Sequence, residues 1–189
     1  MIWSLPLPLP LIESRDGDSF LSLPLGSTAL PLSPHPGSFG FVRKKHVHEG
    51  VDLYCPEGTP VYAVEGGIIV GCLPFTGEIT RPRSPWWEDS FAILVEGPSG
   101  VVVYGEIVPL NLPEETIIQV GQTLGYVTRV LKKDKGRPRA MLHLELYETG
   151  TRDVYEWTVA TGKTPMESKP APLRDPTPFL QQALQFQPG

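Results

Sequence analysis

The sequence lacks any apolar run near the roughly 20 residues that a membrane-spanning helix needs, so an integral membrane protein is not predicted. Its two cysteines, Cys55 and Cys72, are too few for a disulfide framework, and we expect buried thiols. A basic excess is also missing, because 16 lysines and arginines stand against 21 acidic residues. This balance argues against nucleic acid as a partner. The opening segment MIWSLPLPLPLI has no basic residue and is broken by prolines, so a signal peptide is not predicted.

Glycine and proline are abundant instead, with 19 and 22 residues in a chain of 189. Such a composition is typical of many short strands joined by turns and argues against a helical bundle. Short apolar runs occur at residues 61–64, 67–70, 91–95, 101–104 and 141–146, most of them bounded by turn residues. Near the end of the chain, residues 177–186 have a helical pattern. The sequence therefore predicts one mainly β domain with a short C-terminal helix.

The two ends of the chain are expected to be attachments to this domain. In residues 1–34, leucines alternate with Pro6, Pro8 and Pro10, which predicts an edge strand or a polyproline-like arm because proline cannot donate to a strand ladder. A turn signal at residues 13–19 would let residues 20–23 return as a partner strand and form a hairpin. The main domain then covers residues 35–147, and residues 148–189 wrap back onto it.

The clearest chemical pattern is His48, followed four residues later by Asp52. An imidazole and a carboxylate can bind the same zinc ion, but on a straight strand the two would lie about 13 Å apart. Gly50 between them allows the chain to bend. A third ligand must come from elsewhere in the chain. His143 is a candidate, although a lone histidine in an apolar strand is more often a core residue.

A series of short motifs resembles, in the same order, those of the lysostaphin-type (LytM-type) zinc metallopeptidases. The series consists of residues 37–43 (GSFGFVR), 48–53 (HEGVDL), 58–67 (GTPVYAVEGG), 120–127 (VGQTLGYV), 142–146 (LHLEL) and 175–180 (DPTPFL). No single motif is decisive, but the shared order is hard to obtain by chance. The resemblance covers most of residues 37–147 and the closing segment.

This resemblance implies a fold, a cofactor and a substrate class. The expected fold is an antiparallel β-sheet domain of the lysostaphin-like type, the duplicated hybrid motif, with a groove. His48, Asp52 and His143 would bind one zinc ion, and three protein ligands leave a fourth position for water. The expected partner is a peptidoglycan peptide or another anionic wall ligand, cleaved at a peptide bond. A location in the cell envelope is implied by the resemblance alone.

The sequence departs from this family at both histidines that do not bind the metal. Glu106 stands at the last position of the family's Y-x-H pattern, and Met141 at the first position of H-x-H. One interpretation is that hydrolysis is altered or lost, because methionine cannot transfer a proton or stabilise an oxyanion. Another is that Glu106 is the general base, with Tyr104 or a loop arginine as a second donor. A third is a non-catalytic module that binds a protein partner and regulates other wall hydrolases.

Further residues are expected around the ligands or in the groove. Glu145 would be structural or would orient a ligand histidine, while Arg43 and Met141 would lie near the metal. His46 shares a strand face with His48, so it either substitutes for a lost histidine or stays solvated beside its basic neighbours.

Basic residues are concentrated in three segments. Eleven of the 16 fall within residues 43–45 and two long loops, residues 73–90 and 129–140. They predict either ordinary solvated loop charge, diluted by nearby acidic residues, or a positive groove that concentrates an anionic ligand. His35 is expected in a loop and Glu49 at the surface.

Overall fold

The computed structural model describes residues 3–44, 46–80, 86–134, 136, 138–158 and 168–185. The strands are β1 (Leu11–Ser14), β2 (Thr28–Pro31), β3 (Val51–Tyr54), β4 (Pro60–Tyr62), β5 (Gly67–Thr76), β6 (Ser90–Gly97), β7 (Gly100–Pro109), β8 (Ile117–Ile118), β9 (Thr123–Val127), β10 (Met141–Tyr147) and β11 (Leu173–Arg174). Helix α1 (Thr177–Gln185) confirms the predicted C-terminal helix. Within the described residues, no helix has the length and apolar character to span a membrane.

Strands β3 to β11 form one sheet, and all of their pairings are antiparallel. In this sheet β11, β10, β7, β6, β5 and β8 are neighbours in that order, β3 pairs with β10, and β9 pairs with β7 and β4. The prediction of a mainly antiparallel β domain is confirmed.

Strand alternation divides the core into two layers, one on each face of the sheet. Strand β10 shows the division most clearly. Leu142 and Leu144 point into the larger layer, and Tyr147 packs into the smaller one. His143 and Glu145 share the face of Tyr147, which we call the site face. Because packed residues cover both faces, polar side chains on the site face are buried rather than solvated.

The predicted N-terminal hairpin is wrong. Strand β1 pairs with β2 in parallel register, and Ser19–Leu21 form a short 3-10 helix in the connection instead of a returning strand. The connection is long enough to bring the chain back to the starting end of β1, which a tight turn cannot do. The proline-rich stretch before β1 runs beside β4, where Ser4 donates to the carbonyl oxygen of Val64 and Tyr62 donates to that of Pro6.

Trp3 joins the two ends of the chain. Its indole is 2% exposed, donates a hydrogen bond to Ser99 at 3.1 Å, and stacks on Phe179 of α1 with ring centroids 4.9 Å apart. The proline-rich arm is therefore part of the folded domain and not a free extension.

The two long loops contact each other. Strand β5 extends to Thr76, which shortens the first loop, and Trp87 forms an isolated antiparallel bridge with Leu131 of the second.

Both cysteines are free thiols, but only Cys55 is buried, so the expectation of a buried thiol is wrong for Cys72. Cys72 lies in the middle of β5, and its side chain is exposed on the outside of the sheet.

Replacing Trp3 by alanine should lower the free energy of unfolding by about 3–5 kcal/mol, because a buried indole and its aromatic stack are lost. Urea denaturation followed by circular dichroism would measure the change. Leu25→Ala is the control, since Leu25 is fully exposed and its truncation should cost less than about 0.5 kcal/mol. Equal midpoints for the two variants would contradict the integration of the arm into the core.

Candidate metal centre

Asp52 and His143 lie opposite each other on the adjacent strands β3 and β10. Cross-strand neighbours on one face have Cβ atoms about 5 Å apart, and here Oδ1 of Asp52 is 2.8 Å from Nδ1 of His143. Both side chains are buried, with 5% and 8% of their surface exposed. Strand pairing thus brings together two of the three predicted ligands, which are far apart in sequence.

His48 reaches the same point from the turn that precedes β3. Its backbone hydrogen bonds go to Phe41 and Gly40 rather than to β10, so the chain bends between His48 and the strand. Its Nε2 lies 3.0 Å from Oδ1 of Asp52 and 3.2 Å from Nδ1 of His143. The wide separation expected on a straight strand therefore does not arise.

At Gly50 the backbone of this bend packs closely against β10. A Cβ atom there would collide with the carbonyl oxygen of Leu144 and would lie 3.0 Å from Nε2 of His143. The glycine is therefore required by the close approach of two backbones, which adds a reason to the flexibility inferred from the sequence.

The outward nitrogens of both histidines are held by hydrogen-bond acceptors. The Nδ1–H of His48 donates to the carbonyl oxygen of Ser38 at 2.9 Å, and the Nε2–H of His143 donates to Glu145 at 2.8 Å. Each bond selects one tautomer and leaves the inward nitrogen as a lone-pair donor. Glu145 thus has the orienting contact expected of it.

Arg43 performs the same task for Asp52. Its guanidinium donates to Oδ2 of Asp52 at 2.7 Å and to the carbonyl oxygen of Pro36 at 3.2 Å, which leaves Oδ1 facing the two histidines. Three acceptor atoms then converge at 2.8 to 3.2 Å. Ligands around a tetrahedral zinc ion, with bonds of about 2.0–2.1 Å, lie about 3.3 Å apart. The donor set therefore fits one zinc ion, and these three residues form a group able to hold a metal.

The charges around this group also favour a cation. Burial lowers the pKa of His48. Burial opposes a charge on Asp52, but the charges of His48 and Arg43 and the hydrogen bonds of both histidines outweigh it and hold the pKa of Asp52 well below its usual range. For His143, bonds to the Asp52 and Glu145 carboxylates outweigh burial and raise its pKa well above the ordinary value. A proton on His143 therefore balances Asp52, and metal binding would displace it.

Glu106 is brought to the site face by a β-bulge. Phe91 pairs with Ile107 and Ile93 with Tyr104, so two residues of β7 stand opposite one residue of β6. Glu106 adopts a φ of 64° in this bulge. The extra residue returns Ile107 to the larger core layer and leaves Glu106 outside it.

The Glu106 carboxyl is 6% exposed, and its Oε2 has no hydrogen-bond partner within the described part of the chain. Burial and, second, the Asp52 charge raise the pKa of Glu106 to about 8, against the opposing charges of His143 and Arg43. Its oxygens do not belong to the group of ligand atoms that lie within 4.8 Å of one another. Glu106 is therefore a neighbour of the metal position rather than a fourth ligand.

Met141 and Tyr104 have different surroundings. Met141 precedes His143 by two residues on β10, so it shares the site face, where it is buried and pairs with Tyr54 across the strands. Tyr104 lies in the larger core layer, and its hydroxyl accepts a hydrogen bond from the backbone N–H of Val64 at 2.9 Å. The structure places Tyr104 on the opposite face of the sheet from the ligands, so its expected role as a second donor is not supported.

Three other residues of the sequence analysis are also located. His46 forms an isolated bridge with Thr158 and is not in the group of metal-binding atoms. Glu49 is only partly exposed and accepts a hydrogen bond from the N–H of Trp157 at 2.7 Å, so its predicted surface position is wrong. His35 is a buried loop residue whose Nδ1 accepts a hydrogen bond from the backbone N–H of Gly37. The C-terminal wrap explains Glu49, because it covers a position that would otherwise be solvated.

Two of the described loop cations pair with acidic residues of the other long loop. Arg129 forms an ion pair with Glu88 and Lys132 with Glu78, both at 3.0 Å across the two long loops. These contacts favour ordinary loop charge over a positive groove. Of the eleven basic residues in the three segments, Lys45, Arg81, Arg83, Lys135 and Arg137 lie outside the described part of the chain.

No protein-family model and no curated protein matches the sequence, but solved structures do match the fold. The antimicrobial peptidase lysostaphin from Staphylococcus simulans superposes with a TM-score of 0.53 and 18% identity, over 80% of this chain and 51% of the lysostaphin chain. The catalytic domain of lysostaphin superposes with a TM-score of 0.47 and 17% identity, over 77% of this chain and 89% of the domain. A putative glycyl-glycine endopeptidase lytM from Ruminococcus gnavus superposes with a TM-score of 0.46 and 19% identity, over 73% of this chain and 47% of the other.

The chain has the lysostaphin-like fold. The match with a TM-score of 0.53 carries this conclusion, and it confirms the architecture expected from the order of the motifs. The chain spans about half of that lysostaphin chain, which the 51% coverage records. At 18% identity the similarity establishes the architecture alone, and the chemistry depends on the residues of the site.

Replacing Arg43 by alanine should weaken zinc binding by about 10- to 100-fold, because Asp52 loses the partner that fixes its orientation. Competition with a chromophoric chelator at fixed pH would measure the affinity. Arg152→Ala is the matched control, since Arg152 forms a surface ion pair with Glu96. Equal affinities for the two variants would show that Arg43 does not orient the ligand.

Gly50→Ala should lower the free energy of unfolding by about 1–3 kcal/mol and weaken zinc binding, because the added methyl group separates the bend from β10. Gly71→Ala is the control, since a Cβ at Gly71 meets its nearest neighbour at 3.8 Å. Thermal unfolding with and without zinc would measure both effects. A Gly50 variant as stable as the Gly71 variant would contradict the close approach.

Proposed function

We propose that this protein is a zinc-dependent peptidase of the lysostaphin type in which Glu106 is the general base. The observation that carries the proposal is the buried Glu106 carboxyl, with one oxygen unpaired beside three converging metal-ligand atoms. An unpaired buried carboxyl destabilises a fold by an amount on the order of 1–3 kcal/mol or more. Such groups are concentrated at functional sites, because a protein keeps a destabilising group where its activity needs that group.

His48, Asp52 and His143 would hold the zinc ion through Nε2, Oδ1 and Nδ1. When bound, the ion supplies Lewis-acid activation of a water nucleophile and of a peptide carbonyl. The chain's own contribution begins with Arg43 and Glu145, which fix the ligands before substrate arrives.

Glu106 would move the proton. A water molecule adds to the carbonyl carbon of the peptide, and Glu106 in its deprotonated form accepts the proton that this water loses. A cation held beside Asp52 would favour that form, because it offsets the Asp52 charge that helps to raise the pKa of Glu106. As the carbon–nitrogen bond breaks, Glu106 delivers the same proton to the leaving amine, so it ends the cycle in its starting state. A glutamate next to zinc has this role in the H-E-x-x-H metalloproteases. Glu106 is buried, which limits the access of bulk water to the proton path.

The proposed substrate is a peptide of peptidoglycan. It is supported by the fold, which is shared with the antimicrobial peptidase lysostaphin. Pairing of the loop cations with Glu78 and Glu88 does not favour a polyanion as the main ligand. A short, weakly charged peptide is therefore preferred to an anionic wall polymer.

A non-catalytic zinc-binding module is the second candidate. Met141 favours it, because a thioether cannot transfer a proton where the family has a histidine. The ligand side chains are also at most 8% exposed. Such a module would bind a protein partner, a wall peptide or both without turnover.

Metal content separates both candidates from a site that has lost its ion. Purified protein supplied with zinc should contain about one zinc per chain by mass spectrometry, and His143→Ala should contain almost none. Calorimetric titration of the metal-depleted protein checks the same stoichiometry. A wild type that takes up no zinc would exclude the proposed peptidase and the zinc-binding module alike.

Turnover of purified peptidoglycan and of a synthetic pentaglycine peptide tests the role of Glu106. Glu106→Gln should lower kcat by about 10²- to 10⁴-fold while zinc affinity stays within about threefold, because the amide keeps the shape and loses the base. Glu96→Gln is the control on a partly exposed carboxylate that is not in the group of metal-binding atoms. Zinc-loaded wild type without turnover would favour the non-catalytic module, and equal rates for wild type and Glu106→Gln would place the base elsewhere.

A further inference from the structure

The site face contains an unassigned tyrosine next to the missing histidine. Tyr54 follows Asp52 by two residues on β3, so both side chains lie on the same face. Its cross-strand partner is Met141, just as His143 is the partner of Asp52. Paired side chains on one face have Cβ atoms about 5 Å apart. The Tyr54 phenol therefore stands beside the position where the family has a histidine.

We propose that Tyr54 contacts the substrate in place of that histidine, donating its hydroxyl proton in a hydrogen bond to the carbonyl oxygen of the scissile peptide. This inference rests on the proposed peptidase function and names the second donor that the function requires. Tyr54 keeps its proton throughout, so the transfer from water to amine by Glu106 is unchanged.

The position of Tyr54 suits this contact. Its Cα lies about 7 Å along the strand from that of Asp52, which is a distance that a phenol can cover when a substrate carbonyl lies between them. Tyr54 is also close enough to Arg43, the partner of Asp52, to contribute to the raised pKa of that guanidinium. Unlike the ligands and Met141, Tyr54 is only partly buried, so a bound peptide can reach it.

Tyr54 also lines a cleft of about 450 Å³. One wall is the connection between β1 and β2, including Phe20 and Leu23, and the other is the second long loop, including Arg129 and Arg139. This volume lies in the range of small-ligand sites, which are mostly apolar with a few polar groups. Tyr54 lines this cleft and the three proposed metal ligands do not, so Tyr54 is the residue that the cleft and the site face share.

A phenol can do what methionine cannot at this position. As water attacks the carbonyl, negative charge develops on the carbonyl oxygen, and a fixed donor there stabilises the transition state more than the substrate. Loss of one such donor typically lowers kcat by about 10²- to 10³-fold. Tyr104 cannot supply this bond, because it is fully buried in the larger core layer on the opposite face of the sheet.

The test is Tyr54→Phe, which removes one oxygen and keeps the ring. Tyr126→Phe is the matched control, because Tyr126 is an exposed tyrosine on β9. Three quantities are measured on zinc-loaded protein: the zinc content, the kcat and KM for pentaglycine, and the affinity for a glycine peptide with a phosphinate in place of the scissile bond. The phosphinate imitates the tetrahedral state, whereas pentaglycine reports ground-state binding.

For Tyr54→Phe we expect unchanged zinc content, a kcat about 10²-fold lower with KM within about threefold, and phosphinate affinity reduced by a similar factor to kcat. A purely structural role would not weaken the phosphinate selectively. Adding Met141→His to Tyr54→Phe should restore part of the loss, because it returns a donor to the same place. Rates and phosphinate affinity equal to those of Tyr126→Phe would overturn the proposal.

Phosphinate binding tests the Tyr54 contact independently of peptidase activity. If zinc-loaded wild type binds the phosphinate without cleaving pentaglycine, the peptidase function fails for that substrate. Weaker phosphinate binding by Tyr54→Phe would then still support the Tyr54 contact. Wild type that binds zinc and neither cleaves pentaglycine nor binds the phosphinate would overturn both.

Discussion

The register between β3 and β10 is the constraint on which the site depends. It sets Asp52 opposite His143, and a slip by one residue would send every side chain of one strand to the other face. The larger core layer holds this register, because Leu53, Leu142 and Leu144 are fully buried there. Apolar packing on one face of the sheet therefore determines the polar geometry on the other.

Hydrogen bonds complete what the register begins. The Ser38 carbonyl, the Glu145 carboxylate and the Arg43 guanidinium each hold the outward atom of one ligand. Their combined effect is to present three acceptors toward one point without a donor among them. Such an arrangement is stable only when a proton or a cation lies between them, so the site has a built-in preference for a positive ion.

Much of the fold could be predicted, because its signals are local in the chain. His143 joined the candidate ligands only through the resemblance, because its approach to Asp52 depends on the pairing of two distant strands. Alternating apolar runs indicated the strands, and the spacing of His48 and Asp52 indicated a metal. The hairpin prediction failed because parallel pairing of β1 with β2 depends on packing against the sheet and not on turn residues. Tyr104 was mistaken for a donor because the bulge at Glu106, which decides the faces of β7, leaves little trace in the sequence.

The sequence by itself determined the β class and the C-terminal helix, and it supplied the candidate ligand residues and the two departures from the motifs that it resembles. These follow from residue identity and short-range periodicity. Only the tertiary structure decided that Glu106 enters the site, that Tyr104 leaves it, and that Tyr54 stands beside Met141. The reason is physical: the face on which a strand residue lies depends on bulges and on the register of a distant partner strand. Both are fixed when the whole core packs, and neither is encoded by the neighbouring residues alone.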